Sequence, residues 1–265
     1  MTNAFVLGNF SDMEDGKNKN ASDGGARAEE KFYDFVEAAA HDLQAPLRKL
    51  SVLVERVFAK NENKFDESAK EYIDRIGACI GEMRSLIDGF MDLAKSNAII
   101  TAKEHCDLNV IAAEIAQRMR EEIENSNIVV EMHDLPTLRG NKIQYRQLFK
   151  NLFENAIKFR KLSTVARIQV ITKPTTDEEK KLFGLEREKK YFTIEVRDNG
   201  IGFEQHNAQK IFEPFVRLHS RSEYEGNGLG LFICKKIVAN HHGIIYATPN
   251  EKEGARFVLV LPETP

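Results

Sequence analysis

Two long stretches of regularly spaced apolar residues constrain the fold of this chain more than any other feature. In the first, apolar side chains recur at steps of three and four residues, as on one face of a long helix. They are Phe32, Phe35, Val36, Ala39, Leu43, Leu47, Leu50, Val54 and Val57. The second has the same spacing through Ala69, Tyr72, Ile73, Ile76, Ile80, Met83, Ile87, Phe90 and Leu93. The polar segment 60–66 between them is turn-like, so the pattern predicts a helical hairpin over residues 29–98.

A hairpin of two helices cannot cover both of its own apolar stripes. Pairing with a second copy into a four-helix bundle would bury them, so we expect a homodimer. Ahead of the hairpin, residues 11–27 are mostly Asn, Asp, Gly, Ser and Lys. Such a segment has little to bury, and the sequence predicts that residues 1–28 are disordered.

The rest of the chain alternates between helical and strand patterns. After a short hinge at 99–107, the pattern predicts helices near 108–124, 142–159 and 229–240. It predicts strands near 128–132, 138, 167–173, 191–197, 243–247 and 255–261. This alternation indicates a two-layer α/β sandwich over residues 108–265, with helices on one face of the sheet. The whole chain is therefore α+β, and the charged segment 175–190 is expected to be a solvated hairpin extension.

Composition excludes several classes of function. The formal net charge of −3 argues against a broad nucleic-acid-binding surface. The three cysteines lie far apart with no CxxC spacing, which favours reduced thiols over a metal site. No apolar run approaches the roughly 20 residues that cross a bilayer. We therefore expect a cytoplasmic protein with no membrane span.

Two glycine clusters indicate a nucleotide pocket. Asp198 ends a strand pattern, where its carboxylate can accept a hydrogen bond from an exocyclic amine such as that of adenine, and Gly200 and Gly202 relieve crowding over the base. The second cluster, 226–231, runs into a helical pattern, and N–H groups at a helix start can hold phosphates. An ordinary Asp-Asn-Gly turn is the plain alternative for the first cluster.

The predicted helix 142–159 carries polar residues that suit a metal nucleotide. Asn151 and Asn155 are four residues apart and Lys158 is three further on, so the three side chains share one face. The two amides offer oxygen ligands for Mg²⁺, and the lysine offers a charge for phosphate. Taken alone, this face would be interpreted as a polar, solvated one.

The first long helix contains a histidine in an unusual setting. The spacing puts His41 off the apolar stripe, so it is expected to be exposed. Pro46 lacks the N–H that would bond the Asp42 carbonyl, which should loosen the helix beside His41. Asp42 can take a proton from the imidazole or hold its tautomer. Between the glycine clusters, Lys210 and Arg217 flank aromatic residues that could anchor a flexible lid near phosphate.

Together these segments resemble the sensor histidine kinases of two-component signalling, from about Glu29 to the C-terminus. The segments 41–47, 151–158, 198–202, 212–215 and 226–231 are similar to the family's phosphoacceptor, asparagine, first glycine, phenylalanine and second glycine boxes. Their order and spacing are those of the family. The variant His-Asp-Leu-Gln is similar to kinases of the phytochrome-like branch.

The resemblance implies a dimerisation and phosphotransfer hairpin followed by a Bergerat-type ATP-binding domain. Asn155, with Asn151, would hold Mg²⁺. Asp198 would accept a hydrogen bond from the adenine amine, and Phe159 would pack near the base. The phosphates would contact the second glycine box through Gly226, Gly228, Leu229 and Gly230.

The family's reaction would then start at the hairpin. His41 would attack the γ-phosphoryl group with Asp42 as base, while Mg²⁺ and Lys158 offset the developing charge. The phosphoryl group would pass to an aspartate of a response regulator. Whether transfer occurs within or between subunits is left open.

Two departures from the family pattern change what is expected. Ala45 stands where many relatives have a Thr or Asn that orients water, so strong phosphatase activity is not expected. Asn227 replaces the commoner Thr or Ser of the second glycine box, and it can still form hydrogen bonds. Sensor and membrane segments are absent, which leaves either an excised kinase core or a kinase that takes its signal from a separate sensor protein.

Two other functions compete with this interpretation. One is a phosphotransfer scaffold or pseudokinase that binds a regulator without using ATP. The other is a different Bergerat ATPase or a serine kinase of the anti-sigma type, and these lack a hairpin that bears a histidine.

Overall fold

The computed structural model describes residues 19–61, 65–97, 103–219, 224, 226–250 and 254–265. Two long helices, α1 (Lys19–Asn61) and α2 (Glu67–Asn97), form the predicted hairpin. The remaining elements are β1 (Glu104–Asp107), α3 (Leu108–Arg118), α4 (Arg120–Asn125), β2 (Ile128–Met132), β3 (Thr137–Gly140), α5 (Lys142–Lys158), β4 (Ala166–Pro174), α6 (Asp177–Leu182), β5 (Tyr191–Asp198), α7 (Gly230–Asn240), β6 (Ile244–Pro249) and β7 (Ala255–Pro262). We call residues 103–265 the sandwich domain.

Helix α1 begins earlier than the sequence predicts. It starts at Lys19 rather than Glu29, so the predicted disorder of residues 1–28 is wrong for 19–28, and residues 1–18 lie outside the described part. The apolar spacing marks only the buried face of a helix, whereas residues 26–28 (Ala-Arg-Ala) favour helix without adding to that face. Helix α1 also runs through Pro46 without ending there.

The hairpin has a narrow core of its own. Ala40, Leu47, Ile80 and Ile87 are buried, and Val54 and Met91 pack against them. Near the level of His41, the Gln44 amide donates to the Asp88 carboxylate at 3.1 Å and joins the two helices. Leu43, Leu50 and Val57 belong to the predicted apolar stripe, yet they are 53%, 45% and 48% exposed in the single chain. Two helices can bury only the side chains that face each other.

Part of the predicted hinge is a strand. Strand β1, within the predicted hinge 99–107, pairs antiparallel with β3, and Cys106 is buried there. Four residues are too short a stretch for alternation to distinguish a strand from a loop. The predicted helix 108–124 is interrupted at Met119 between α3 and α4.

Five strands form the main sheet in the order β2-β4-β5-β7-β6. Strands β2 and β4 are parallel, and the other neighbours are antiparallel. Helices α3, α5 and α7 cover one face and share a core with it. Tyr145, Phe149, Leu152 and Phe153 of α5 are all fully buried there. This arrangement confirms the predicted two-layer sandwich.

The opposite face of the sheet is covered by the connection between β4 and β5. Thr176 caps the short helix α6, which has a full capping box with Glu179. Phe183 lies 5.6 Å from the ring of Tyr246 on β6, so the connection crosses the sheet. Val258 and Val260 are almost fully buried on this face. Most residues of the segment 175–190 are exposed, as the sequence predicts, but Phe183 is half-buried and attaches the segment to the sheet.

Among the helices of the described residues, none is both long and apolar enough to span a membrane.

Candidate functional site

Helix α5 supplies the first wall of the candidate site. The Asn141 side chain caps it by accepting from the N–H groups of Ile143 and Gln144. Buried aromatic residues fix its inner face, so the outer face that carries Asn151, Asn155 and Lys158 has a defined direction.

A cavity of about 570 Å³ opens above this face. Its lining combines α5, both glycine clusters and the segment between them. The predicted residues that line it are Asn151, Asn155, Lys158, Phe159, Asp198, Gly202, Gly226, Gly228 and Gly230. The structure therefore brings together side chains that are spread over 80 residues of sequence.

Asp198 is a buried carboxylate at the floor of the cavity, only 8% exposed. Its Oδ1 accepts from the N–H of Gly200 at 2.9 Å and from the N–H of Ala255 at 3.1 Å. Burial raises the pKa of Asp198 to about 6, and the two N–H groups act in the opposite direction. Within the described residues no hydrogen bond reaches Oδ2, so this atom can accept from a ligand.

The glycines of the first cluster are required by backbone packing. A Cβ at Gly200 would lie 2.3 Å from the Phe159 carbonyl oxygen, and one at Gly202 would lie 2.6 Å from the carbonyl oxygen of Gly254. Gly202 also has a φ of 68°. These contacts press the turn against the end of α5, which places Asp198 beside Phe159.

The second cluster brings Gly226, four residues ahead of α7, close to Lys158. A Cβ at Gly226 would lie 2.7 Å from the Lys158 Nζ, and Gly226 has a φ of 129°. The ammonium group also lies 4.6 Å from the centre of the Phe159 ring. A cation beside a helix start is a favourable place for phosphate.

Asn151 is held by hydrogen bonds within the protein. Its Oδ1 accepts from the Gln147 amide at 2.9 Å, and its Nδ2 donates to the Gly230 carbonyl at 3.0 Å. Asn155, one turn further along α5, is half-buried in the cavity.

Several predicted residues do not line the cavity. Gly200 lies beneath it, Lys210 is exposed elsewhere, and Leu229 is fully buried, with its N–H donating to Asn227. His41 and Asp42 lie on the hairpin, with 79% and 87% of their side chains exposed and 3.6 Å between Nδ1 and Oδ1. His41 instead borders a groove on α1 with Arg48, Lys49 and Arg56.

Two aromatic residues of the site were missed from the sequence. His219 and Tyr224 line the cavity, and their rings lie 5.9 and 5.0 Å from Phe159. They lie between the two glycine clusters, where no helix or strand period marks them. Their only signal is that they are aromatic residues in a segment predicted to be a lid. Arg217, predicted near phosphate, lines the cavity as well.

Comparisons with known proteins agree with this arrangement. The family model described as "Histidine kinase-, DNA gyrase B-, and HSP90-like ATPase" matches residues 140–265. The one described as "His Kinase A (phospho-acceptor) domain" matches residues 33–99. The chain belongs to the sensor histidine kinases.

Among curated histidine kinase relatives, "Phytochrome-like protein Cph1" of Synechocystis sp. is 32% identical over 228 residues. That match covers 86% of this chain and 29% of Cph1, so the chain spans less than a third of the relative's length. The full-length histidine kinase ShkA in complex with AMPPNP matches with a TM-score of 0.58 and 21% identity, over 86% of this chain and 45% of that one. The histidine kinase ThkA in complex with response regulator TrrA matches with a TM-score of 0.57 and 18% identity. That match covers 95% of this chain and 69% of the other.

The donor set of this histidine kinase suits a nucleotide with a divalent cation. Within the described residues no group of three or more His, Cys, Asp or Glu could hold a metal. A cation here would be coordinated by amide oxygens and by phosphates, an arrangement typical of Mg²⁺. The amide of Asn155 and the ammonium of Lys158 lie on the same side of the cavity as Gly226.

Proposed function

We propose that this chain autophosphorylates His41 with ATP and passes the phosphoryl group to an aspartate of a response regulator. The observation that carries the proposal is that one cavity is lined by Asn155, Lys158 and Asp198 together with most of the second glycine cluster. A buried carboxylate at one end and a cation beside a helix start at the other match the base and the phosphates of ATP.

Each residue has a distinct task in this proposal. The Asp198 carboxylate accepts from the adenine amine, and Phe159, with His219 and Tyr224, contacts the base. Asn155, joined by Asn151, provides oxygen for Mg²⁺, which would supply charge neutralisation at the phosphates. Lys158 and the backbone of Gly226, Gly228 and Gly230 hold the phosphates.

The chemical step takes place on the hairpin imidazole. With Nδ1 beside the Asp42 carboxylate, Nε2 of His41 is the atom left to attack the γ-phosphorus. The new P–N bond forms as the bond to the β–γ bridging oxygen breaks, and ADP leaves. The attack leaves the imidazole ring positively charged, and Asp42 accepts the proton from Nδ1 so that the phosphorylated ring becomes neutral. Catalysis rests mainly on positioning and charge stabilisation.

His41 must meet the cavity of its own or of a partner subunit, because it does not line the cavity here. The exposed apolar face of the hairpin supports a homodimer, and a response-regulator partner supports a cytoplasmic location. ThkA, matched over most of this chain, forms a complex with a response regulator. The phosphotransfer scaffold is less favoured, because such proteins lose asparagine-box or glycine-box residues that are present here.

Incubation with magnesium and γ-labelled ATP tests the proposal. We expect an acid-labile, base-stable label that His41→Gln abolishes while nucleotide binding survives. The matched control is His206→Gln, which changes an exposed histidine of the sandwich domain. Label retained in His41→Gln would refute the assignment of the phosphoacceptor.

A second variant tests the metal role. Asn155→Ala should lose the label through weaker magnesium–nucleotide binding. Unchanged ATP affinity in this variant would count against that role. Transfer from labelled protein to a panel of receiver domains would then identify the regulator.

A further inference from the structure

Four groups form a continuous chain of hydrogen bonds from the hairpin to the second glycine cluster. The Gln147 amide on α5 donates to the Asp92 carboxylate on α2 at 3.0 Å and to Asn151 Oδ1 at 2.9 Å. Asn151 Nδ2 then donates to the Gly230 carbonyl at 3.0 Å. A residue outside the sandwich domain is thereby connected to an amide that lines the nucleotide cavity.

Asp92 and the Gly230 carbonyl, which stand at the two ends of this chain, both fix the direction of its bonds. An ionised carboxylate can only accept, so the Gln147 atom that faces it must be the NH₂ group. That same NH₂ group faces Asn151, which must therefore present its oxygen. The remaining NH₂ group of Asn151 then meets the Gly230 carbonyl, which can only accept. Reversing either amide would set two donors or two acceptors against each other.

This orientation directs the Asn151 oxygen towards Gln147, one turn back along α5. Asn155 lies one turn forward on the same face, and Gln147 does not line the cavity. Asn151 is only 5% exposed, so its amide has little freedom to leave its partners. The side-chain oxygen of Asn151 therefore points away from Asn155, the residue with which it would share a cation.

A separate contact keeps α2 against the sandwich domain. Asn227 Nδ2 donates to the backbone carbonyl of Ser85 at 2.7 Å, while its Oδ1 accepts from the Leu229 N–H. The Phe90 and Phe215 rings meet edge to face, 5.8 Å apart. These contacts hold Asp92 within reach of Gln147.

We propose that Asp92 is a positioning residue that, through Gln147, holds the Asn151 oxygen away from the cation while α2 is docked. The inference rests on the proposed function, since it concerns the same magnesium–nucleotide site. The hairpin would thereby restrain the nucleotide site to which it later presents His41. Separation of α2 from the sandwich domain would leave Gln147 without Asp92 and so weaken its hold on the Asn151 oxygen, while the bond from Asn151 to Gly230 would remain.

Three variants of the full chain separate this role from a merely structural one. Asp92→Ala removes the acceptor, and Gln147→Met keeps the side-chain length but removes both donor bonds. Asp88→Ala is the matched control, because Asp88 lies one turn earlier on α2 and bonds Gln44 within the hairpin. The double variant Asp92→Ala/Gln147→Met tests whether the two residues act in series.

The first measurement is the factor by which magnesium strengthens ATP binding, with ATP in EDTA as the reference. We expect this factor to rise about threefold to tenfold in Asp92→Ala and Gln147→Met, the range for one hydrogen bond. It should stay at the parent value in Asp88→Ala. Asp92→Ala should add nothing in the Gln147→Met background. An unchanged or smaller factor in both single variants would overturn the proposal.

The second measurement needs no nucleotide. The side-chain NH₂ signals of Asn151, assigned by their loss in Asn151→Asp, report hydrogen exchange in the unliganded protein. They should exchange slowly in the parent and in Asp88→Ala, and several-fold faster in Asp92→Ala and Gln147→Met. Equal exchange in all four proteins would overturn the proposal. Absence of ATP binding by the parent would refute the proposed function, whereas the exchange measurement would still decide this inference.

Discussion

The hairpin and the sandwich domain bury apolar residues to very different extents. Among the described residues, the hairpin cluster consists of Ala40, Leu47, Ile80 and Ile87 with two partly buried neighbours. The sandwich domain has a continuous core in which Tyr145, Phe149 and Phe153 are fully buried between helices and sheet.

This contrast shows how the same apolar periodicity leads to two outcomes. In the sandwich domain, a helix stripe meets a sheet from the same chain and is fully covered. In the hairpin, α1 packs against α2, and Leu43, Leu53 and Val57 of α1 remain about half exposed. The sandwich domain covers its apolar stripes within a single chain, whereas the hairpin leaves part of its apolar face uncovered.

Loss of a core aromatic residue should break the sandwich domain most severely. Phe153→Ala removes a fully buried ring, and we expect the free energy of unfolding to fall by about 3–5 kcal/mol. Chemical denaturation followed by circular dichroism measures the change. The hairpin helices should retain most of their signal, because their main cluster is separate and only Leu93 of α2 joins the sandwich core. Simultaneous loss of the hairpin would contradict the independence of the two cores.

A charge on the uncovered hairpin face should separate the two copies. Leu53 is 56% exposed in the single chain, and its burial in a dimer would be worth about 1.5–3 kcal/mol per subunit. Leu53→Asp should therefore yield monomers in sedimentation experiments. Leu162→Asp is the matched control, since Leu162 is 89% exposed in the sandwich domain. If both variants sediment like the parent, the hairpin face is not the dimer interface.

The Asp198 carboxyl group lies in the sandwich domain and should make binding of the adenine base depend on pH. The hairpin should not contribute to this dependence. Burial raises the pKa of Asp198 to about 6, so the carboxylate, which we propose accepts from the adenine amine, is present above that pH and is lost as pH falls through it. Adenosine, which has no phosphate to titrate, should bind more weakly below pH 6. Isothermal titration should show that Asp198→Asn abolishes this dependence.

The sign is opposite for the stability of the unliganded protein. The folded state holds the Asp198 proton more tightly than the unfolded state, whose pKa is near 3.8. The contribution of this group to stability therefore falls as pH rises from about 4 to about 6. Leu53→Asp should leave both profiles unchanged, and a shifted profile would mean that the dimer reaches the cavity.

The smallest effect concerns the contact between the two regions. A Cβ at Gly89 would lie 2.2 Å from Asn227 Nδ2, so Gly89→Ala should weaken the docking of α2. It should also stabilise the hairpin by about 0.5–1 kcal/mol, because alanine favours helix over glycine. Gly81→Ala has space for its Cβ and should give only the stabilisation. Small-angle scattering and thermal unfolding would separate the two effects, and equal compactness of both variants would contradict the docking role.

The fold was largely predictable because its signals are local. The hairpin, helix α5 and the strands β2, β4, β5 and β7 follow from apolar spacing within single segments. Strand β1 and the role of Phe183 did not follow, since each depends on a partner distant in sequence. The predicted residues Asn155, Lys158 and Asp198 do meet in one cavity, whereas Leu229 points into the core.

The sequence by itself determined most of the helices and strands and which residue types could contact ATP, because periodicity and motif spacing are properties of the chain. Only the tertiary structure decided which atoms of those residues are available. The Asn151 amide is committed to Gln147 and Gly230, and burial raises the pKa of the Asp198 carboxyl group to about 6. Hydrogen-bond direction and burial depend on neighbours that only folding brings together, so no spacing along the chain could reveal them.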